Sequence, residues 1–262
     1  MADWNRKPGF DLTGKTAVVV GVGTPPGPAI AAALAEAGAD VGVASATMDG
    51  EEVMAAKRAA KAVESLGRRA LSHGWDVTLP TNVQVGMRQM SRDLGAPNIL
   101  VYNADAQLAK PIERVGDAEF AHLQAVNQSG AFYAARSFVR EAEDGAANRI
   151  LFVTGIHGER GVENLTAYAT AKAGVSGLMK ALSQELGARN TTVNCISTGW
   201  MDWTPGRGPE ELGQNLLMRF VPMRRFGRGD ELGALAVLLA SEAAGYINGQ
   251  TIHVDGGAMT HL

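Results

Sequence analysis

A chain of 262 residues with 46% apolar side chains can bury one sizeable core and suits a single α/β domain, 1–262. Its net charge of −3, from 24 basic and 27 acidic side chains spread along the chain, supplies no basic stripe for a phosphate backbone and no polybasic patch, so neither nucleic acid nor a membrane is expected as a partner. The opening MADWNRKPGF lacks a signal peptide's apolar core, runs such as 232–240 are too short to cross a bilayer, and the only cysteine, Cys195, sits in an apolar strand-like run; together these predict a cytoplasmic protein with no internal disulfide.

In chain order the strand candidates are 16–20, 40–44, 69–75, 98–102, 149–153, 191–196 and 251–254, several of them apolar on both faces as a helix-covered parallel sheet requires. Between them apolar residues recur with a 3.6 period: Ile30, Ala33, Leu34 and Ala37, then Val175, Leu178, Met179, Leu182 and Leu186, then Leu232, Leu235, Ala236 and Leu239. Gly38, Gly67 and Gly187 stand where those helices should stop. The alternation predicts an α/β fold, a Rossmann-type doubly wound parallel sheet of about seven strands with helices on both faces. Ligands in such sheets bind beyond the carboxyl ends of the strands. One long irregular segment, 197–230, holds Pro205, Pro209 and Pro222 and a helical patch over 210–220, and is read as a lid over the binding site.

After the first strand comes GVGTPPGPAIAAALAEAG, where glycines and a helix N-terminus favour an anion such as a dinucleotide pyrophosphate. Gly21, Gly23, Thr24 and Gly27 are the candidate contacts, but Pro25 and Pro26 interrupt them with no N–H to donate. The alternative is a rigid strand-to-helix turn with no ligand. A ribose-reading acid should lie at the end of the second strand, about 20 residues on, where the chain has Ser45, Ala46 and Thr47. With no carboxylate there, NADP(H) is favoured as cofactor over NAD(H), which stays open; Asp49 comes late for the role.

Tyr168 and Lys172 are four apart, which places both on one helix face and lets an ammonium lower a phenol pKa from about 10 toward the range of a general acid or base. Together with the glycine loop, DVT at 76–78, YNAD at 102–105, Asn127, YATAK at 168–172 and the ending YINGQTIHVDGG, this pair resembles the short-chain dehydrogenase/reductase family over nearly the whole chain. The resemblance implies that Tyr168 exchanges a proton with the substrate oxygen, that Lys172 depresses the tyrosine pKa and holds the nicotinamide ribose, and that Asn127 anchors a proton-relay water. It also implies cofactor contacts at Asp76, Val77, Asn103, Ala104 and Gly199, with Asp76 on the adenine and Asn103 steadying the central sheet; the alternatives are a helix-start carboxylate for Asp76 and a core amide for Asn103. It carries no metal site, and it implies a homotetramer or homodimer.

Three positions depart from that pattern: Pro25 replaces the middle loop glycine, Asp105 replaces a glycine after YNA and sets a carboxylate close to the cofactor's expected place, and Gly155 stands thirteen residues before Tyr168 where the family has serine. Neighbouring strand side chains face opposite ways, so Thr154 is expected to point its hydroxyl elsewhere. His157 is the candidate compensating donor; alternatively it is a solvated loop residue, and Gly155 makes room for a larger substrate. Glu159 and Arg160 read as solvated charges. Trp200, Met201 and Trp203 bring apolar and aromatic surface beside the chemistry, so a bulky, ring-containing or otherwise apolar substrate is expected, with packing of the lid as the alternative. The expected activity is NAD(P)-dependent interconversion of an alcohol and a ketone, or reduction of a related polarised bond. The alternatives are a non-redox lyase, isomerase or hydrolase on the same scaffold, and a catalytically weak ligand-binding relative.

Overall fold

The computed structural model describes residues 9–204 and 219–260. Seven strands, β1 (Thr16–Val20), β2 (Asp40–Ala44), β3 (Ala70–His73), β4 (Ile99–Tyr102), β5 (Asn148–Gly155), β6 (Thr191–Thr198) and β7 (Thr251–Val254), form one sheet in the order β3-β2-β1-β4-β5-β6-β7. Every pairing is parallel. Strand order therefore reverses between β1 and β4, which opens a crevice at their carboxyl ends. The third strand is shorter than expected because the Trp75 N–H leaves the ladder to donate to Ser45 Oγ at 3.0 Å. The fifth is longer: Thr154 and Gly155 stay in register with Ser197 and Thr198, and Gly155 is extended, at φ −153°.

Helices cover both faces. On one side α1 (Gly27–Glu36), α2 (Gly50–Ser65) and a last helix, α7 (Asp230–Ala240), pack over Val19, Val43 and Val153, with Ile30, Leu34, Leu232 and Leu239 fully buried between the layers. On the other, α3 (Pro80–Leu94), α5 (Gly130–Glu141) and α6 (Thr166–Leu186) enclose Trp75, Tyr102, Phe138 and Phe152. Cys195 lies in this second cluster, and burial pushes its thiol up to about 12. Asp49, the late candidate for reading a ribose, is instead the N-cap of α2, its Oδ1 accepting the N–H groups of Glu51 (2.9 Å) and Glu52 (3.4 Å). Gly38 and Gly67 end α1 and α2 with positive φ, whereas α6 runs past Gly187 through a 3₁₀ turn, and Asn190 takes the left-handed conformation there. Between α4 (Asp117–Gln124) and α5 the helix widens into a π turn over Ala125–Ser129, which contains Asn127. The central part of the expected lid, 205–218, lies outside the described residues.

Candidate active site

The carboxyl ends of β1, β4, β5 and β6 surround a cavity of about 780 Å³, part of it open to solvent. Pro25 and Pro26 line one end; Tyr168, Lys172, His157 and Trp200 line the other. Tyr168 and Lys172 stand one turn apart on α6, both buried. The loop leaving β4 brings Asp105 between them: the Tyr168 hydroxyl donates to Asp105 Oδ1 at 3.0 Å, and Lys172 Nζ lies 2.8 Å from the same oxygen. Gln107 donates to the other carboxylate oxygen. Burial pushes the Asp105 carboxyl up, but the Lys172 charge and hydrogen bond, with those from Gln107 and Tyr168, outweigh it and hold the group below the ordinary carboxylate value.

This arrangement reverses the expectation that Lys172 lowers the tyrosine pKa. Burial, then the neighbouring charge of Asp105 and the hydrogen bond to it, raise the Tyr168 phenol well above its ordinary value. The ammonium that would favour phenolate is already matched by a carboxylate, which leaves the phenol the favoured form.

At the end of β5, Val153 and Thr154 both form cavity wall. Thr154, in unbroken register with the strand as is Gly155, is buried with its Oγ1 lacking a hydrogen-bond partner. His157 follows in a 3₁₀ turn, Ile156–Gly158, and is buried rather than solvated. Its ring stands edge-on between Tyr168 and Trp200, with centroids 6.0 and 5.0 Å away. Its Nδ1 lies 3.3 Å from where a Cβ on Gly155 would sit, so imidazole fills the space beside the absent side chain. Its Nε2 is buried without a partner. Burial lowers the His157 pKa, Asp105 opposes and Lys172 adds to the lowering, which keeps the ring neutral near pH 7.

Asn127 is buried and fixes the Asp105 loop: its Nδ2 donates to the carbonyls of Ala106 (2.8 Å) and Leu123 (3.0 Å), and its Oδ1 accepts the Ala106 N–H (3.2 Å). Asn103 steadies the glycine loop, donating to the carbonyls of Gly21 and Thr24, each at 2.8 Å. Gly21, at φ +82°, lets that loop close on Ala104, where a Cβ would overlap the Ala104 backbone. Thr24 and Gly27 use their N–H groups inside the turn.

Several expected contacts have other partners. Ser45, read as facing the ribose, is fully buried, donates to the carbonyls of Thr47 (2.7 Å) and Trp75 (3.3 Å), and accepts the Trp75 N–H. Asp76 accepts both the N–H and the hydroxyl of Thr78, and Val77 and Ala104 are core residues, so their reach toward a ligand is through backbone. Gly199 allows close approach to Asp255 and lines the cavity. Trp200 and Trp203 line the cavity. Met201 is not: it is buried in the core, packs on Gly227 and pairs with it as a β-bridge. Glu159 and Arg160 tie the site loop to the chain end, Glu159 bonding His253 (3.1 Å) and Ser197 (3.3 Å), and Arg160 donating to Ala258 O (3.0 Å). Asp105 is the site residue that spacing rules passed over; its signal was a charge where the pattern has glycine.

A cavity running from the glycine loop to the Tyr168 helix, lined by Tyr168, Lys172 and His157 and with the buried His157 Nε2 lacking a partner, fits the nicotinamide half of a dinucleotide plus a substrate. Comparison with known proteins agrees. Residues 26–259 match the family model described as enoyl-(acyl carrier protein) reductase. The chain is 30% identical over 248 residues to 3-oxoacyl-(acyl-carrier-protein) reductase FabG of Pseudomonas aeruginosa, covering 95% of this chain and 98% of that one. It superimposes on a putative short-chain alcohol dehydrogenase from Sinorhizobium meliloti 1021 with a TM-score of 0.90 at 32% identity, covering 97% and 99% of the two chains. It also superimposes on a gluconate 5-dehydrogenase from Burkholderia cenocepacia J2315, solved with NADP and tartrate, with a TM-score of 0.88 at 28% identity, covering 97% and 98%. The chain therefore belongs to the short-chain dehydrogenase/reductase family. Within it, NAD(P)-dependent oxidoreduction is the class of chemistry its relatives support.

Proposed function

We propose that this enzyme interconverts an alcohol and a ketone, or reduces a related polarised bond, on a bulky, cyclic or aromatic substrate, with Tyr168 as the proton donor and acceptor. A nicotinamide cofactor, once bound, would supply or take up the hydride. The observation that carries the reading is the buried Tyr168 hydroxyl in the cavity wall, donating to Asp105 Oδ1 at 3.0 Å, because a neutral phenol is the form that donates to a developing alkoxide. Lys172 would hold the nicotinamide ribose, Asn127 holds the loop that aims Asp105, and neutral His157 offers a donor beside Gly155, where the family's serine is missing. The faces of Trp200 and Trp203 favour a flat apolar substrate. Fluorescence titration with NADH and NADPH tests the reading at its root, and turnover on cyclic ketones and alcohols tests the rest. Tyr168→Phe should abolish turnover and leave cofactor affinity nearly intact; a variant that still turns over removes Tyr168 from the mechanism.

A second reading is favoured by Asp105 itself. A carboxylate 3.0 Å from a phenol is also an acid/base pair suited to lyase or isomerase chemistry. Cofactor binding with no redox turnover, but with proton exchange at a carbon beside a carbonyl, would select it. Either reading includes a cytoplasmic homotetramer or homodimer, measurable by light scattering; among the described residues no helix is long and apolar enough to cross a membrane.

A further inference from the structure

The end of β2 carries no acid, yet the fold delivers one there from elsewhere. Asp49 caps α2 and fixes its first turn. From that turn Glu52 folds back over the strand end: its Oε2 accepts the Ala46 N–H at 3.0 Å. Its carboxylate also covers Gly23 of the glycine-rich loop, so that a Cβ on Gly23 would overlap the carboxylate atoms. The group thus spans the gap between the second strand's end and the phosphate loop, the two walls between which an adenosine ribose sits in doubly wound sheets. Around that turn Ser45 bonds Thr47 O and Trp75 O, and Thr47 Oγ1 accepts the Asp49 N–H at 3.2 Å. Residues 45–56 include Asp49, Glu51 and Glu52 and no lysine or arginine.

We propose that Glu52 reads the adenosine ribose and selects NAD(H) against NADP(H). The inference rests on the nucleotide-binding reading above and reverses the preference that the bare end of β2 suggests. With Oε2 held by the Ala46 N–H, Oε1 is the acceptor for a ribose 2′-hydroxyl. A 2′-phosphate, at about −1.5 to −2 charge, would instead meet a like charge, with no cation in residues 45–56 to offset it. The solved gluconate 5-dehydrogenase relative holds NADP, so this assignment separates the chain from that relative.

Binding titrations decide it without turnover. NADH and NADPH are each titrated by fluorescence into the full chain and into Glu52→Gln, which keeps an acceptor for the Ala46 N–H and so preserves the turn. The native chain should bind NADH at least about tenfold more tightly than NADPH, with the gap narrowing at high salt. Glu52→Gln should remove most of that gap, chiefly by tightening NADPH, and Glu52→Ala should behave alike. Native NADPH binding as tight as NADH, or an unchanged ratio in Glu52→Gln, overturns the role of Glu52 and leaves nucleotide binding standing. If neither coenzyme binds the native chain, the nucleotide-binding reading falls and this inference falls with it.

Discussion

Replacing Asp105 with asparagine removes the charge that both Tyr168 and Lys172 face and keeps the side chain's shape. Taking away one member of a buried ion pair costs about 3–5 kcal/mol, since the remaining charge is left without its partner. Lys172 is almost fully enclosed, with 4% of its side chain exposed, while Asp105 retains 16% and the asparagine oxygen still accepts the tyrosine and lysine hydrogen bonds. The loss should therefore fall at about 2–3 kcal/mol, a drop in melting temperature of about 5–10 °C for a chain of this size. The sharper readout is the phenol. With Asp105 neutral and Lys172 still charged, the balance beside Tyr168 changes sign, and its ionisation should move to lower pH than in the native chain. A near-ultraviolet phenolate titration, with Tyr168→Phe subtracted to isolate one of the four tyrosines, follows this directly. The pH dependence of oxidation should shift the same way. Stability provides a second check: Asp105 is lowered in the fold, so its contribution is present above about pH 3.9 and is lost as pH falls through the lowered value, a loss the asparagine variant should lack. An unmoved phenolate onset in the folded variant would refute the claim that Asp105 adds to the raised tyrosine pKa.

His157→Ala should lower kcat by about 10²–10³ if the imidazole is the donor that steadies developing oxyanion charge, and Thr154→Val should do so if the threonine hydroxyl is; steady-state kinetics on both variants assigns the role, and two unchanged values would clear both residues. Gly155→Ser places its Cβ 3.3 Å from His157 Nδ1 and 3.4 Å from Thr198 Oγ1, tight but without overlap, so the variant should fold and gain rate on small ketones while losing it on bulky ones. Equal change on both substrate sizes would refute a space-making role for Gly155. Burial lowers the His157 pKa, so the stability gained by keeping it neutral is present above about pH 6.5 and lost as pH falls through the lowered value; denaturant unfolding from pH 7 to 5 should fall more steeply for the native chain than for His157→Gln.

The sheet was readable because a parallel strand buried on both faces must be a near-continuous run of β-branched residues, and these runs stood clear between alanine-rich helices. Tyr168 and Lys172 were readable because helix geometry alone sets their relation. What failed needed a third partner. The tyrosine shift comes first from burial and then from Asp105, sixty-three residues away, reaching in from the β4 loop. Ser45 looked available until Trp75 and Thr47 took both its donor and its acceptor capacity. Met201 belonged by spacing to the aromatic wall, but the chain there pairs with Gly227 and turns the side chain inward. Glu52, the proposed ribose reader, reaches the strand end from the following helix, outside the window in which a ribose acid is sought.

The burial of Cys195 has a practical consequence. A chain whose sole thiol is enclosed in the core and hard to ionise presents a silent background to maleimide dyes under native conditions. A cysteine introduced at exposed Gln107, at the mouth of the cavity, would then carry a single fluorophore, giving an optical reporter of site occupancy with no native residue to mask first.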